Sequence, residues 1–252
     1  MKIYLNREPV TGPWGGGNKT VSRLSERLLQ DGHKVVYRLQ PDIDLIFCFD
    51  PRPNSFGEWY QHFLEYTNQH GCKHIQRVGD LGTHGKPELA ELVRLTAPHS
   101  DFLIFPSEWA REKSGFSGDN CAVIHNGPLE DFHSFKKQKD IGKKIRVVAH
   151  HWSTNPKKGF KFYSQLDEAI ANNDALEFLY IGRLPEGLKF KNSRYIEASG
   201  DNEFLAKTIA EQDIYLTASE EEAGANHVLE AMACGCKVVS TKIDSVPRVL
   251  GL

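Results

Sequence analysis

Sulfur is scarce and scattered in this chain: two methionines, and five cysteines at positions 48, 72, 121, 234 and 236. An odd, dispersed set is no disulfide framework and points to a reducing compartment. Cys234 and Cys236 stand one residue apart with no second ligand pair, which is not a zinc spacing. No apolar run approaches the ~20 residues that span a bilayer. The opening stretch MKIYLNREPV has no secretory pattern. A cytoplasmic location without a transmembrane segment is the expectation. An excess of one charge is missing too. The 31 basic and 33 acidic residues leave a net charge of -2, so neither nucleic acid nor an anionic membrane is expected as the main partner. What remains, 40% hydrophobic and 25% charged, is an ordinary globular composition. A length of 252 residues fits one large or two small domains.

The first half alternates strand-like and helix-like segments. KIYL, KVVYRL, DLIFCF, KHIQRV, DFLIF and CAVIH read as strands, and KVVYRL and DLIFCF are the short apolar runs expected of buried parallel strands. Residues 19–31 read as a helix with Val21, Leu24 and Leu28 on one face, ended by Gly32. FGEWYQHFLEYTNQH is helical up to Gly71, and another helix opens at PSEWAREKSGF. From Asn126 to Lys144 turn residues and a charge run replace the periodicity, which reads as a linker. Alternation then restarts. KIRVVAH, EFLYIG, SRYIEA, DIYLTAS and KVVST read as strands, and residues 159–172, 201–212 and 226–234 as helices. The expected fold class is α/β, with two Rossmann-like, doubly wound domains over residues 1–135 and 136–252. Such sheets bind ligands at the carboxyl ends of their strands. With two sheets facing each other, the cleft between them is the default site.

After the first strand comes TGPWGGGNKT. It fails as a triphosphate P-loop, because Asn18 separates Gly17 from Lys19 and Thr20. It fails as a dinucleotide fingerprint, because Thr20 stands where a third glycine belongs. A glycine-rich turn into a helix N-terminus, where free N–H groups favour an anion, remains; a tight turn with no ligand is the equal alternative.

EEEAGANHVLEAMACGCKVVST is more informative. Glu222 and Glu230 have seven residues between them, the first in a loop and the second inside the next helix. The helix N-terminus near Ala225 and Asn226 suits a diphosphate. Carboxylates repel phosphate and bind hydroxyls, so their natural partners are the sugars flanking a diphosphate. A nucleotide sugar has that form.

The stretch EAGANHVLEAMACGCKVV resembles the paired-glutamate motif of family 4 of the retaining, GT-B-fold glycosyltransferases. GGGNKTVSRL, AVIHNGPLEDF and HHWSTNPKKGF resemble three further stretches of that family, so the resemblance runs over nearly the whole chain. It implies the GT-B fold and transfer of a hexose, with retention, from a nucleotide diphosphate sugar to a glycan, lipid or protein hydroxyl. On the family alone the donor leans to GDP-mannose. The resemblance implies that Glu222 contacts the transferred sugar, Glu230 the ribose and Lys158 the diphosphate. Gly15, Gly16 and Gly17, with Gly224, Ala225, Asn226 and His227, lie around the diphosphate, the last two through backbone N–H groups. No cofactor or metal is expected: the stretch DID at 42–44 opens a strand instead of ending one.

The departures from the family pattern are as specific. Trp152 stands in place of an arginine, and Arg183 or His151 is the candidate replacement cation. Ala223 replaces a glycine and Lys237 a proline, and the family pattern continues beyond the position of Leu252. QRVGDLGTH ends a first-domain strand, which makes Asp80 a candidate catalytic residue, ordered by Arg77, and His84 a candidate sugar or acceptor contact; a purely structural role weighs evenly against both. Trp14 and Trp152 are core residues or platforms for a base or acceptor. His150 and His151 are adjacent on a strand, so they point to opposite faces and do not form a metal pair. A nucleotide-sugar epimerase and a catalytically silent sugar-nucleotide binder are the alternative functions.

Overall fold

The computed structural model describes residues 1–12, 15–83, 86–136 and 142–241. The chain divides into two compact units, the first running to His125 and the main run of the second starting at Asn126.

The first unit is a six-stranded parallel sheet. Its strands are β1 (Lys2–Leu5), β2 (Lys34–Val36), β3 (Leu45–Cys48), β4 (Lys73–Arg77), β5 (Phe102–Phe105) and β6 (Cys121–Val123), in the order β2-β1-β3-β4-β5-β6. Helices α1 (Gly16–Gln30), α2 (Tyr60–His70), α3 (Pro87–Thr96) and α4 (Glu108–Ser114) form the crossovers. α1 ends in a Schellman turn: the N–H of His33 donates to the carbonyl of Leu28 and that of Gly32 to Leu29. α3 is absent from the sequence reading, although Pro87 at its first turn and Leu89 and Val93 on its buried face mark it.

The second unit holds β7 (Ile145–His151), β8 (Leu176–Gly182), β9 (Arg194–Ile196), β10 (Ile214–Thr217) and β11 (Lys237–Ser240), all parallel, in the order β11-β10-β7-β8-β9. Its helices are α5 (Glu130–Ser134), α6 (Phe160–Ile170), α7 (Asn202–Ala210) and α8 (Asn226–Ala233). α5 lies inside the segment read as a linker. Its Phe132 is fully buried in the core with α7 and α8, an anchor that charged neighbours obscure in the sequence.

Alternate residues of the central strands serve two cores. Val147 and Ala149 of β7, with Phe178 and Tyr180 of β8, pack on the α6 side. Val148, Leu179 and Ile181 pack on the side of α5, α7 and α8. This is what near-continuous apolar strands of a doubly wound sheet require. Strand order reverses between β7 and β10, so the loops leaving these two strands flank the topological switch point, the usual ligand site of such sheets.

In the first unit, His74 on β4 is 1% exposed and neither ring nitrogen has a hydrogen-bond partner among the described residues. The rings of Tyr60 and Phe63 pack against it. Burial pushes its pKa down from 6.5 to about 4, against an upward pull from Asp101. The unfolded chain therefore binds the proton first. The stability that comes from neutral His74 is complete above about pH 6.5 and is lost as pH falls towards about 4. Urea unfolding across this window should show a falling stability that His74→Phe flattens. An unchanged pH slope in the variant would contradict the assignment.

Candidate functional site

The loop leaving β7 runs through Trp152 and Ser153 into a single 3₁₀ turn, Pro156–Lys158. The Asn155 side chain caps that turn by accepting from the N–H of Lys157. Gly159 follows with φ 79°, and a Cβ there would strike the carbonyl of Ala218, the residue after β10. The N–H of Glu220 also donates to the carbonyl of Lys157 at 2.8 Å. The two loops at the switch point are thus fastened backbone to backbone, and glycine is required where they meet.

That fastening brings charges together. Lys158 Nζ lies 2.5 Å from Glu222 Oε1, with both side chains almost wholly buried. Beside them, half-buried Lys157 pairs with Glu221 at 2.8 Å. His227 Nε2 is 3.9 Å from the same Glu222 oxygen and 3.2 Å from Thr217 Oγ1. Burial pushes the His227 pKa down to about 3, against the upward pull of Glu222. Its imidazole is neutral at neutral pH, and Lys158 carries the cationic charge opposite Glu222.

Glu230, on the buried face of α8, meets a different partner. His150 leaves β7 on the α8 side, and its Nε2 lies 3.0 Å from Glu230 Oε2. The other ring nitrogen, Nδ1, is buried without a hydrogen-bond partner among the described residues. His151, on the opposite face of β7, bonds the hydroxyl of Tyr163 on α6 at 2.7 Å. That hydroxyl also accepts from the N–H of Ala218 at 3.0 Å. The two histidines serve two cores.

α8 opens from Ala225, whose φ of 34° is left-handed. For a residue with a Cβ this conformation costs about 1–3 kcal/mol and is found mostly at functional turns. Asn126 holds the turn: its Nδ2 donates to the carbonyl of Gly224 at 3.4 Å and to Asn226 Oδ1 at 2.6 Å. α8 has no side-chain N-cap and no acidic residue in its first turn, so its N-terminal N–H groups suit an anion. Neither Asn126 nor His150 was assigned to the site from sequence. Asn126 looks like a turn residue in a linker, and only the register of β7 against α8 reveals what His150 faces.

The remaining candidates divide. Arg183 is exposed at the carboxyl end of β8, its N–H donating to the carbonyl of His151 at 3.1 Å. The half-buried Trp152 packs against the core on the α8 side, so its indole does not take over the role of a cation. In the first unit, Gly15 caps α1, which begins at Gly16 with no side-chain cap and no acid in its first turn. A Cβ at Gly15 or Gly17 would meet nothing among the described residues, so packing does not demand these glycines. Asn18 fixes the loop by bonding both N–H and carbonyl of Val10, at 2.9 and 2.7 Å. Asp80 Oδ1 accepts from the N–H groups of Gly82 and Thr83 at 3.0 and 3.2 Å, the work of a turn-forming aspartate. Arg77 lies over Gly79, where an added Cβ would meet its guanidinium. Trp14 and His84 lie outside the described residues.

The His150–Glu230 pair is testable by unfolding. Removing one partner strands the other in the interior, which typically costs about 3–5 kcal/mol. His150→Leu alone should show a loss of this size in urea. The double variant His150→Leu/Glu230→Leu should lose clearly less than the sum of the single losses. Additive losses would contradict a direct pair.

Residues 143–251 match the family model described as glycosyl transferases group 1. N-acetyl-alpha-D-glucosaminyl L-malate synthase of Bacillus anthracis is 26% identical over 141 residues, 56% of this chain and 32% of that protein. The phosphatidylinositol N-acetylglucosaminyltransferase GPI3 subunit of Saccharomyces cerevisiae (strain YJM789) is 25% identical over 181 residues, 64% of this chain and 40% of its own. The chain therefore spans well under half the length of either curated relative. Among solved structures, WaaG, a glycosyltransferase involved in lipopolysaccharide biosynthesis, superposes with a TM-score of 0.64 at 14% identity, covering 100% of this chain and 84% of that one. Two parallel sheets give this chain the GT-B fold that WaaG shares, and residues 143–251 of its second unit are similar to the glycosyl transferases group 1 family.

Proposed function

We propose that this protein is a retaining glycosyltransferase of family 4 that moves a hexose from a nucleotide diphosphate sugar to an acceptor hydroxyl. The observation that carries the reading is the pairing of Lys158 with Glu222, and of His150 with Glu230, at the switch point of a group 1 domain. A cation and two carboxylates in one such place match a diphosphate flanked by two sugars. Glu230 takes the ribose hydroxyls, Glu222 the hexose, and Lys158 with the α8 N-terminus the diphosphate; the glycine loop at Gly15–Gly17 and Arg183 are further donor contacts. Asp80 and His84 stay candidates for the acceptor side.

The chemistry must stabilise a departing diphosphate and an oxocarbenium-like sugar. Lys158 and the α8 N–H groups supply the first electrostatically, and losing one such donor typically costs about 2.7–4 kcal/mol of barrier. No metal is assigned to this task, so transfer should persist in EDTA. The retaining course rests on the family resemblance, with the leaving phosphate helping to take the acceptor proton. GDP-mannose is the donor that resemblance favours. Both curated relatives carry N-acetylglucosaminyl in their names, so an N-acetylglucosaminyl donor stands beside it.

Lys158→Ala tests the reading. It should weaken nucleoside diphosphate binding by about 1.5–3 kcal/mol and leave nucleoside binding nearly intact, since only the diphosphate meets the charge. Calorimetry with guanosine, GDP, uridine and UDP compares the ligands within one variant. Equal losses for nucleoside and diphosphate would refute the role of Lys158. Turnover of GDP-mannose or UDP-N-acetylglucosamine without an acceptor would favour an epimerase.

A further inference from the structure

Glu222 has been given the hexose, yet without a ligand it holds the cation that the diphosphate needs. The pair is buried at both ends, 8% and 6% exposed by side chain, and the Oε1 oxygen that meets Lys158 is also the one nearest His227. The second cation nearby, Lys157, is taken by Glu221. A diphosphate arriving at Lys158 must therefore share that ammonium with the Glu222 carboxylate.

We propose that Glu222 is a specificity-determining residue of the donor site, which favours the intact nucleotide sugar over the bare nucleoside diphosphate and so hastens release of the product. This rests on the donor-site reading above. With a nucleotide sugar bound, hexose hydroxyls donate to Glu222 and compensate its charge as it gives up part of Lys158. After transfer the hexose has left with those donors. The terminal phosphate has lost its ester link and gains up to one further negative charge. Glu222 then faces more like charge without the hexose donors. Returning to Lys158 is its alternative, and that return displaces the product. At the buried site solvent screens this repulsion only weakly.

Glu222→Gln tests this with little change of shape, because the amide oxygen still accepts from Lys158 while the charge is gone. Calorimetry on the wild type and the variant would use UDP, GDP, UDP-glucose, UDP-N-acetylglucosamine and GDP-mannose. The bare diphosphate should bind about tenfold more tightly to the variant, a change of about 1.4 kcal/mol. The matching nucleotide sugar should bind no more tightly than to the wild type. Glu222→Asp, which draws the carboxylate back from Lys158, should show a smaller change in the same direction, and serves if the glutamine variant fails to fold. A diphosphate-to-sugar affinity ratio that is unchanged, or that moves towards weaker diphosphate binding, overturns the inference and leaves the donor site standing. A wild type that binds none of the five ligands overturns the donor-site reading and this inference with it.

Discussion

The second unit is organised around one buried ion pair, Lys158 with Glu222, at the point where strand order reverses. Two charges in the interior cost several kcal/mol each to desolvate, and their mutual attraction offsets this only in good geometry. The surrounding structure supplies that geometry. Gly159 lets the β7 loop press on Ala218, and the N–H of Glu220 donates to the carbonyl of Lys157. A buried pair is a poor source of stability; what it provides is a cation and a carboxylate held at fixed places beside a helix N-terminus.

The pleat of β7 distributes the rest of the polar residues. His150 goes to the α8 side and meets Glu230, and His151 goes to the α6 side and meets Tyr163. Each carboxylate of the spaced pair therefore has its own partner, a lysine for one and an imidazole for the other. Under the proposed function this difference goes with different tasks for the two glutamates, although both are buried at the same end of one sheet. A strained Ala225 and the two bonds from Asn126 set the start of α8 between them.

Much of this is legible in the sequence, and what is not has identifiable causes. The central strands announce themselves because both faces are buried, so the apolar residues of KIRVVAH and EFLYIG stand side by side as VVA and FLYI instead of alternating. α1 is legible but misplaced at its start: it begins at Gly16, inside a glycine run that argues locally for a turn. α3 and α5 are short, rich in charge and buried on narrow faces. Phe132 alone carries much of the burial of α5. Glu222, Glu230 and Lys158 stand out as candidates from spacing and family resemblance. The Lys158–Glu222 contact is not, because it joins residues 64 apart in the chain through loops. Asp80 shows how place alone leaves two roles open: it follows a strand, and its Oδ1 oxygen also accepts two N–H groups of its own turn.

In the proposed function the loops after β7 and β10, with the start of α8, form a nucleotide-sugar site. Hydrogen–deuterium exchange with and without saturating nucleotide sugar, using GDP-mannose and UDP-N-acetylglucosamine in turn, tests it most directly. Exchange within the second unit should slow chiefly in residues 151–159 and 217–230. Protection that spares both segments, or that appears instead around Asp167 and the backbone N–H groups of Lys191 to Ser193 that it binds, would contradict it.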